Sequence, residues 1–439
     1  MAERRPVLLS IYRAFGWALT PLLHLLFSRR SKGGKEISHR KGERFGVAQK
    51  PRPQGSLVWI HAASVGETMS ILPLIQKLAE DGHSVLLTSV TVTAAELADK
   101  RLPDGCFHQF TPYDTPACVS GFLDHWRPDL AMVVESEIWP CMFDEIHQRA
   151  IPFALLNARM SEGSCRNWMR APRISKYIFG CLDLVLAQSS ADQDRFIKLG
   201  CRQVETPGNL KFDAAEPAAD GAALNGLKTQ IADRPVWLAA LTHPGEDEIA
   251  LAAHARLRQM VPDLLLVLVP RHPARADEVA ELVGARGHTL ARRSKAELVA
   301  PQTDVYLGDT LGEMGLFYRL APVTFLGGSF NDAGGHNPVE AVLLGSALIT
   351  GPKVANARAV YKDLWDEKAG VQVMQPEKLT EAVIDLLQNS EVRAEQADRA
   401  MQLIIKGRGA LQRSADLLKP LLAGQKLSSA PENNNGQGA

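Results

Sequence analysis

From residue 56 onward the chain alternates short apolar runs with segments whose apolar residues recur every three or four positions. Leu57–His61, Ser84–Thr88, Leu130–Val134, Pro152–Leu156 and Leu184–Ala187 are apolar almost throughout. Runs this short, with little polar alternation, fit strands covered on both faces. Between them, Thr68–Ala79, Ala117–Trp126, Phe143–Arg149 and Asp192–Leu199 carry the helical period. Strand and helix in rotation predict a parallel sheet wrapped by helices. A second series follows the small-residue stretch 214–224, with strands predicted at Val236–Leu241, Leu264–Val269, Val305–Leu307, Val323–Phe325 and Ala347–Ile349. The pattern therefore predicts an α/β protein with two Rossmann-like domains in tandem, facing a cleft. Ligands in such sheets sit beyond the carboxyl ends of the strands, so the chemistry belongs to residues that directly follow strands.

The first fifty residues break this pattern. Residues 7–27 contain 15 apolar positions out of 21, and one helix over them would be about 32 Å long, close to the thickness of a bilayer core. Ser10, Arg13, Gly16, Thr20 and His24 recur at spacings of three and four, drawing a polar stripe down such a helix. A stripe of this kind suits a helix lying in a membrane interface; a spanning helix and an ordinary core helix are the competing readings. Arg29–Arg30 soon follow Phe27 and no small-residue cleavage site does, which argues against a signal peptide. Charge sharpens the point. The chain has 49 basic and 49 acidic residues, yet residues 1–50 carry a net +8 and the remainder −8. Neutrality overall argues against a nucleic-acid partner, while the cationic head would be drawn to anionic lipid. The expected division is a membrane-associated head over 1–50, a Rossmann-like domain over 51–213, a linker over 214–224, a second such domain over 225–425 and a disordered tail over 426–439. Six cysteines lie between Cys106 and Cys201 with no CxxC pair, which fits a reduced chain rather than a disulfide framework or a zinc site.

Candidate chemistry follows the predicted strands. After the first comes His61-Ala-Ala-Ser64-Val-Gly66-Glu67, where Glu67 falls in a first helical turn. The helix dipole alone would favour a carboxylate there; a general base for an acceptor hydroxyl is the functional reading. The fourth strand runs into Glu135-Ser136-Glu137, where one carboxylate could stabilise positive charge or hold a neighbouring cation while the other caps the helix near Pro140; pairing with a buried base is an equally good structural reading. Lys211, in Gly208-Asn-Leu-Lys-Phe-Asp213, could neutralise a phosphate or carboxylate. In the second half, Pro270-Arg271 ends a strand and Arg271 could hold an anion bidentately. Gly312-Glu313-Met314 opens a helix, and Gly334-Gly335-His336-Asn337-Pro338-Val339-Glu340 opens another whose amides could hold a phosphate. Glu340 could accept from ribose hydroxyls. The chain has no GxxxxGK[ST], no GxGxxG after a strand, no HExxH and no DxD-like acidic pair in a loop, so neither an ATPase, a dehydrogenase nor a metal-held nucleotide is supported.

Taken in order, HAASVGET, VVESEIWP, NARMS, GNLKFD, VPRHP, GDTLGEM and GGHNPVEA resemble the bacterial 3-deoxy-D-manno-octulosonic acid (Kdo) transferases, over essentially residues 7–420. The resemblance implies a GT-B glycosyltransferase fold. It implies inverting, metal-independent transfer of Kdo from CMP-Kdo to a lipid A precursor, at the cytoplasmic face of the inner membrane and with no cofactor. By the same resemblance Glu67 is the proton acceptor, and Glu135 and Lys211 stabilise the transition state. Pro270, Arg271, Gly312, Glu313, Met314, Asn337, Pro338, Val339 and Glu340 bind CMP. A GT-B transferase or epimerase using another nucleotide sugar is the alternative enzyme, and a non-catalytic nucleotide-sugar binder the alternative outside enzymes.

Overall fold

Seven parallel strands build the sheet of the first unit: β1 (Leu57–His61), β2 (Ser84–Ser89), β3 (Cys106–Phe110), β4 (Leu130–Val134), β5 (Phe153–Ala158), β6 (Leu184–Ala187) and β7 (Val204–Glu205). Their order is β3-β2-β1-β4-β5-β6-β7. The direction of winding therefore reverses between β1 and β4, the usual place for a ligand in an open sheet. Every residue of β1, β4, β5 and β6 is buried, as expected of strands with helices on both faces. The computed structural model describes residues 5–213 and 216–425.

The second unit repeats the plan with β8 (Val236–Thr242), β9 (Leu265–Pro270), β10 (Leu290–Arg292), β11 (Val305–Leu307), β12 (Val323–Leu326), β13 (Ala347–Thr350) and β14 (Val371–Gln372). The order is β10-β11-β9-β8-β12-β13-β14, and all pairings are parallel. Here the reversal lies between β8 and β12. Two doubly wound parallel sheets in one chain make the GT-B-type fold.

The unit boundaries depart from the expected division. The first unit comprises Met1–Asp213 and Arg408–Ala439, the second Ala214–Gly407. The final helix, Ala410–Leu422, was expected in the second domain but returns to the first. Leu418 and Leu421 are buried there with Leu74, Ile75 and Leu78, and the Asp213 carboxylate accepts from the amides of Gly409 and Leu411 at 2.6 and 2.5 Å. The linker is also shorter than 214–224, because Asp220 caps a helix over Gly221–Ile231. The tail expected from residue 426 lies outside the described residues.

The head is part of the first unit. Residues 7–27 do not make one helix: α1 (Val7–Ala18) and α2 (Thr20–Lys32) meet at Leu19. Among the described residues no helix is long and apolar enough to cross a membrane. Most of the polar stripe faces protein. Arg13 reaches Asp144 and Glu145 at 2.6 and 2.5 Å, Gly16 lies against Pro116, and His24 stacks on Phe45 at 3.9 Å. Leu9 and Phe27 are buried, but most of the apolar positions point outward: Phe15 is 64% exposed, Trp17 69% and Leu25 68%. The charge of the head is partly spent internally. Short helix α3 (Lys41–Arg44) sits in a network where Arg44 and Arg30 share Glu36, and Arg40 pairs with Glu43. Arg29, Lys32, Lys35 and Lys50 remain exposed.

Candidate active site

In the first unit the site grows from the ends of β1, β4 and β5. β1 stops at His61, and Ser64 caps α4 (Val65–Glu80) by accepting from the Glu67 amide at 3.3 Å. The Glu67 carboxylate in turn accepts from Ser64 Oγ at 3.0 Å and from the Ala63 amide at 2.8 Å. This variant of the capping box fixes the carboxylate above the sheet. Burial, followed by the charges of Glu135 and Glu137, pushes the Glu67 carboxyl up to about 7. The helix start orients the group, and burial beside two like charges raises its carboxyl, so the structural reading of Glu67 leaves the functional one open.

Glu135 directly follows β4, is 8% exposed, and has φ +59°. Its Oε1 meets Lys211 Nζ at 2.6 Å, so Glu135 is the carboxylate that holds a cation. Glu137 does not cap the next helix. It accepts from Trp139 Nε1 at 2.8 Å and lies 3.9 Å from His61 Nε2. The helix Pro140–Gln148 is capped by Asp114, which accepts from the amides of Cys141 and Met142 at 3.1 and 2.8 Å. His61 is buried, with Nδ1 against Thr88 and Thr111, and burial pushes its imidazole down to about 4. The structure therefore brings Glu67, Glu135 and Lys211 together, and adds His61 and Glu137.

In the second unit the predicted residues again follow strands. Pro270 closes β9, and the Arg271 amide donates to Thr242 O at 2.9 Å. Beside it His243 Nε2 lies 3.0 Å from His336 Nε2, the two rings stacked, with His272 edge-on to His243. Burial lowers all three imidazoles, His336 to about 3. They are uncharged at neutral pH, and Arg271 is the cation among them. Gly312 has φ +82° with open space where a side chain would be. Only backbone is offered there, because the Glu313 carboxylate is taken by Arg293, at 3.0 and 2.6 Å, and by Thr310. Met314 begins the helix Met314–Tyr318.

The turn at Gly334–Glu340 differs from expectation in one respect. Its helix, Val339–Leu343, has five residues, with Pro338 just before it, so it carries little dipole with which to hold a phosphate. Asn337 Oδ1 already accepts from the Val339 amide at 3.3 Å, and Val339 is buried. Glu340 is pushed up by burial. Among the described residues no group of three or more His, Cys, Asp or Glu side chains is placed to hold a metal ion.

Glu246 escaped sequence reasoning. It is buried, and its carboxylate accepts from the amides of His243, Gly328, Ser329 and Phe330 at 2.6–3.0 Å, tying the loop after β8 to the loop after β12. Its signal was present in the pattern, since it opens the helix that follows a predicted strand. Gly327 is needed beside it: a Cβ there would come 2.6 Å from Leu241 O.

Comparison with known proteins gives the family. Residues 39–214 match the family described as 3-Deoxy-D-manno-octulosonic-acid transferase (kdotransferase). The chain is 35% identical over 411 residues to the 3-deoxy-D-manno-octulosonic acid transferase of Haemophilus influenzae, covering 92% of this chain and 96% of that one. It is 34% identical over 419 residues to that of Bordetella pertussis, covering 92% and 97%. Among solved structures, UDP-GlcNAc 2-epimerase from Neisseria meningitidis bound to UDP-GlcNAc shares 13% identity with a TM-score of 0.54, covering 84% of this chain and all of that one; this is a likeness of fold. The chain belongs to the 3-deoxy-D-manno-octulosonic acid transferases, a family of glycosyltransferases.

Proposed function

We propose that this enzyme transfers Kdo from CMP-Kdo to a lipid A precursor, inverting the anomeric centre and using no metal ion. The observation that carries the reading is Glu67: a carboxyl raised to about 7, fixed at the reversal of the first sheet beside the Glu135–Lys211 pair. A base of that strength is half deprotonated near neutral pH and suits removal of a hydroxyl proton. As the acceptor oxygen bonds to the anomeric carbon, the bond to the CMP phosphate oxygen breaks and Glu67 takes the acceptor's proton. The leaving phosphate carries the negative charge away, and Arg271 is the group proposed to meet it. Lys211 and Glu135 are proposed to stabilise charge in the transition state. The names of the relatives support Kdo as the sugar, and CMP as its carrier rests on the positions Pro270–Arg271, Gly312–Met314 and Asn337–Glu340.

The exposed apolar side of α1 and α2 supports membrane association through the head, proposed to be at the cytoplasmic face of the inner membrane. A hollow of about 820 Å³ beside Val7 and Leu8 adds Arg5, Arg173 and Lys176 to the same region, a mixture of apolar surface and cations suited to anionic lipid. The test of the whole reading is mass spectrometry of a lipid A precursor incubated with enzyme and CMP-Kdo. Mass gain by Kdo units is expected. Turnover of a UDP-sugar with none of CMP-Kdo would favour the alternative transferase or epimerase instead.

A further inference from the structure

Of the motifs that the reaction leaves without a role, Asn157-Ala-Arg-Met-Ser161 is the one whose geometry leads back to the site. Asn157 lies within β5, next to β4, and is 2% exposed. Its φ is +48°, so two left-handed residues lie side by side: Glu135 just past the end of β4 and Asn157 within the adjacent β5. The β5–β6 register shifts between Leu155 and Ala158, at this residue. Such irregularities re-aim side chains beside functional sites. Asn157 Oδ1 accepts from the amide of Leu210 at 3.0 Å, and Gln188 Nε2 donates to Asn157 O at 2.9 Å. Leu210 opens the 3-10 turn Leu210–Asp213 that carries Lys211, and Lys211 Nζ meets Glu135 Oε1 at 2.6 Å. The donor at Leu210 fixes which end of the amide is oxygen. The other end, Nδ2, is buried with no hydrogen-bond partner among the described residues.

We infer that Asn157 is a positioning residue: its side-chain oxygen anchors the turn at Leu210 and thereby holds Lys211 against Glu135. A backbone in the left-handed region could be supplied by glycine at no steric cost. The buried Nδ2 of Asn157 finds no partner among the described residues, so the side chain's one hydrogen bond is the one that its oxygen makes to Leu210. The oxygen that reaches Leu210 is what asparagine adds. The inference rests on the reading of Glu135 and Lys211 as reacting groups, but its central claim concerns where Lys211 is held.

Two variants separate the possibilities. Asn157→Gly keeps the backbone conformation and removes the anchor; Asn157→Asp keeps an oxygen for the Leu210 amide. The first measurement needs no substrate: the rate at which an amine acetylating reagent modifies Lys211, followed by peptide mass spectrometry, with circular dichroism to verify folding. Modification should be several-fold faster in Asn157→Gly and near the wild-type rate in Asn157→Asp. In the transfer assay Asn157→Gly should lower kcat about 10- to 100-fold with KM little changed, the scale of a misplaced catalytic group, and Asn157→Asp should recover most of it. Unchanged Lys211 reactivity in Asn157→Gly overturns the inference, whatever the donor sugar proves to be. Lys211 modified as fast in Asn157→Asp as in Asn157→Gly would show that the oxygen is not the anchor and overturn it as well. Failure of the wild-type enzyme with CMP-Kdo would instead count against the proposed function, with the Lys211 labelling still deciding the anchor.

Discussion

The proposed proton acceptor can be tested through its pH dependence. With its carboxyl at about 7, Glu67 would be roughly one-tenth deprotonated at pH 6 and nine-tenths at pH 8. If the deprotonated form is required, kcat/KM should rise about tenfold between those pH values, then level off. A carboxylate at its ordinary value of 4.5 would give a flat profile over the same range. The cause of the shift can be tested separately. Burial is its largest part and the neighbouring charges come next, so Glu137→Gln should move the rising limb to lower pH without abolishing it. Glu67→Gln should lose about 10²- to 10⁴-fold in turnover, the usual contribution of a positioned base, while CMP binding by the second unit is retained. The same shift has a sign for stability. Because the folded form holds the proton more tightly, the contribution of Glu67 is fully present below 4.5 and is lost as pH rises through about 7. Steady-state kinetics from pH 5.5 to 8.5 in constant-ionic-strength buffers make the measurement. An active wild-type enzyme with a flat profile from 6 to 8, or Glu67→Gln at near wild-type rate, would refute the base assignment.

Three further outcomes are expected. Arg271→Ala should weaken CMP binding by roughly 10- to 150-fold, since a hydrogen bond to a charged group contributes about 1.5–3 kcal/mol; calorimetric titration with CMP would show it, and unchanged affinity would remove Arg271 from the site. Replacing Phe15 and Trp17 together by serine should reduce co-sedimentation with anionic vesicles at least tenfold, because each side chain can bury about 1.5–3 kcal/mol of apolar surface, with little change in melting temperature as both are largely exposed. Glu246→Ala strands four backbone amides and should destabilise the protein by at least about 3 kcal/mol, read by urea denaturation; a loss under 1 kcal/mol would show that water replaces the carboxylate.

Which strands could be read from the sequence follows from where they sit. All ten predicted strands are found, and the four unpredicted ones, Cys106–Phe110, Val204–Glu205, Leu290–Arg292 and Val371–Gln372, are the outer strands of the two sheets. A central strand is covered on both faces and paired on both sides, so its sequence is continuously apolar. An outer strand can be short and polar, as in Val-Gln or Leu-Ala-Arg, and then resembles a loop. The head misled for a related reason. Periodicity located the polar stripe of residues 10–24, but it cannot say what a stripe faces, and Arg13 finds two carboxylates on a helix more than 130 residues away.

The site was legible to the extent that it obeys the rule of strand ends. Glu67, Glu135, Arg271 and Gly312 all follow strands, and their positions could be named before their partners. The partnerships could not, because each one is long-range: Glu135 with Lys211, Arg293 with Glu313, His243 with His336, Glu246 with the loop at Gly328. These pairings alter what each residue can do. Glu313, which looks in the sequence like a free ligand group, is already neutralised. Lys211, which looks like a free cation, has its charge balanced by Glu135, so a substrate phosphate would have to compete with a carboxylate 2.6 Å away. Arg271, by contrast, makes no ion pair with any described residue, and the imidazoles around it are kept uncharged by burial. Arg271 in the second unit is thus a cation without an ion-pair partner among the described residues, and Glu67 in the first is a carboxyl raised to about 7; these are the two groups on which the proposed transfer depends.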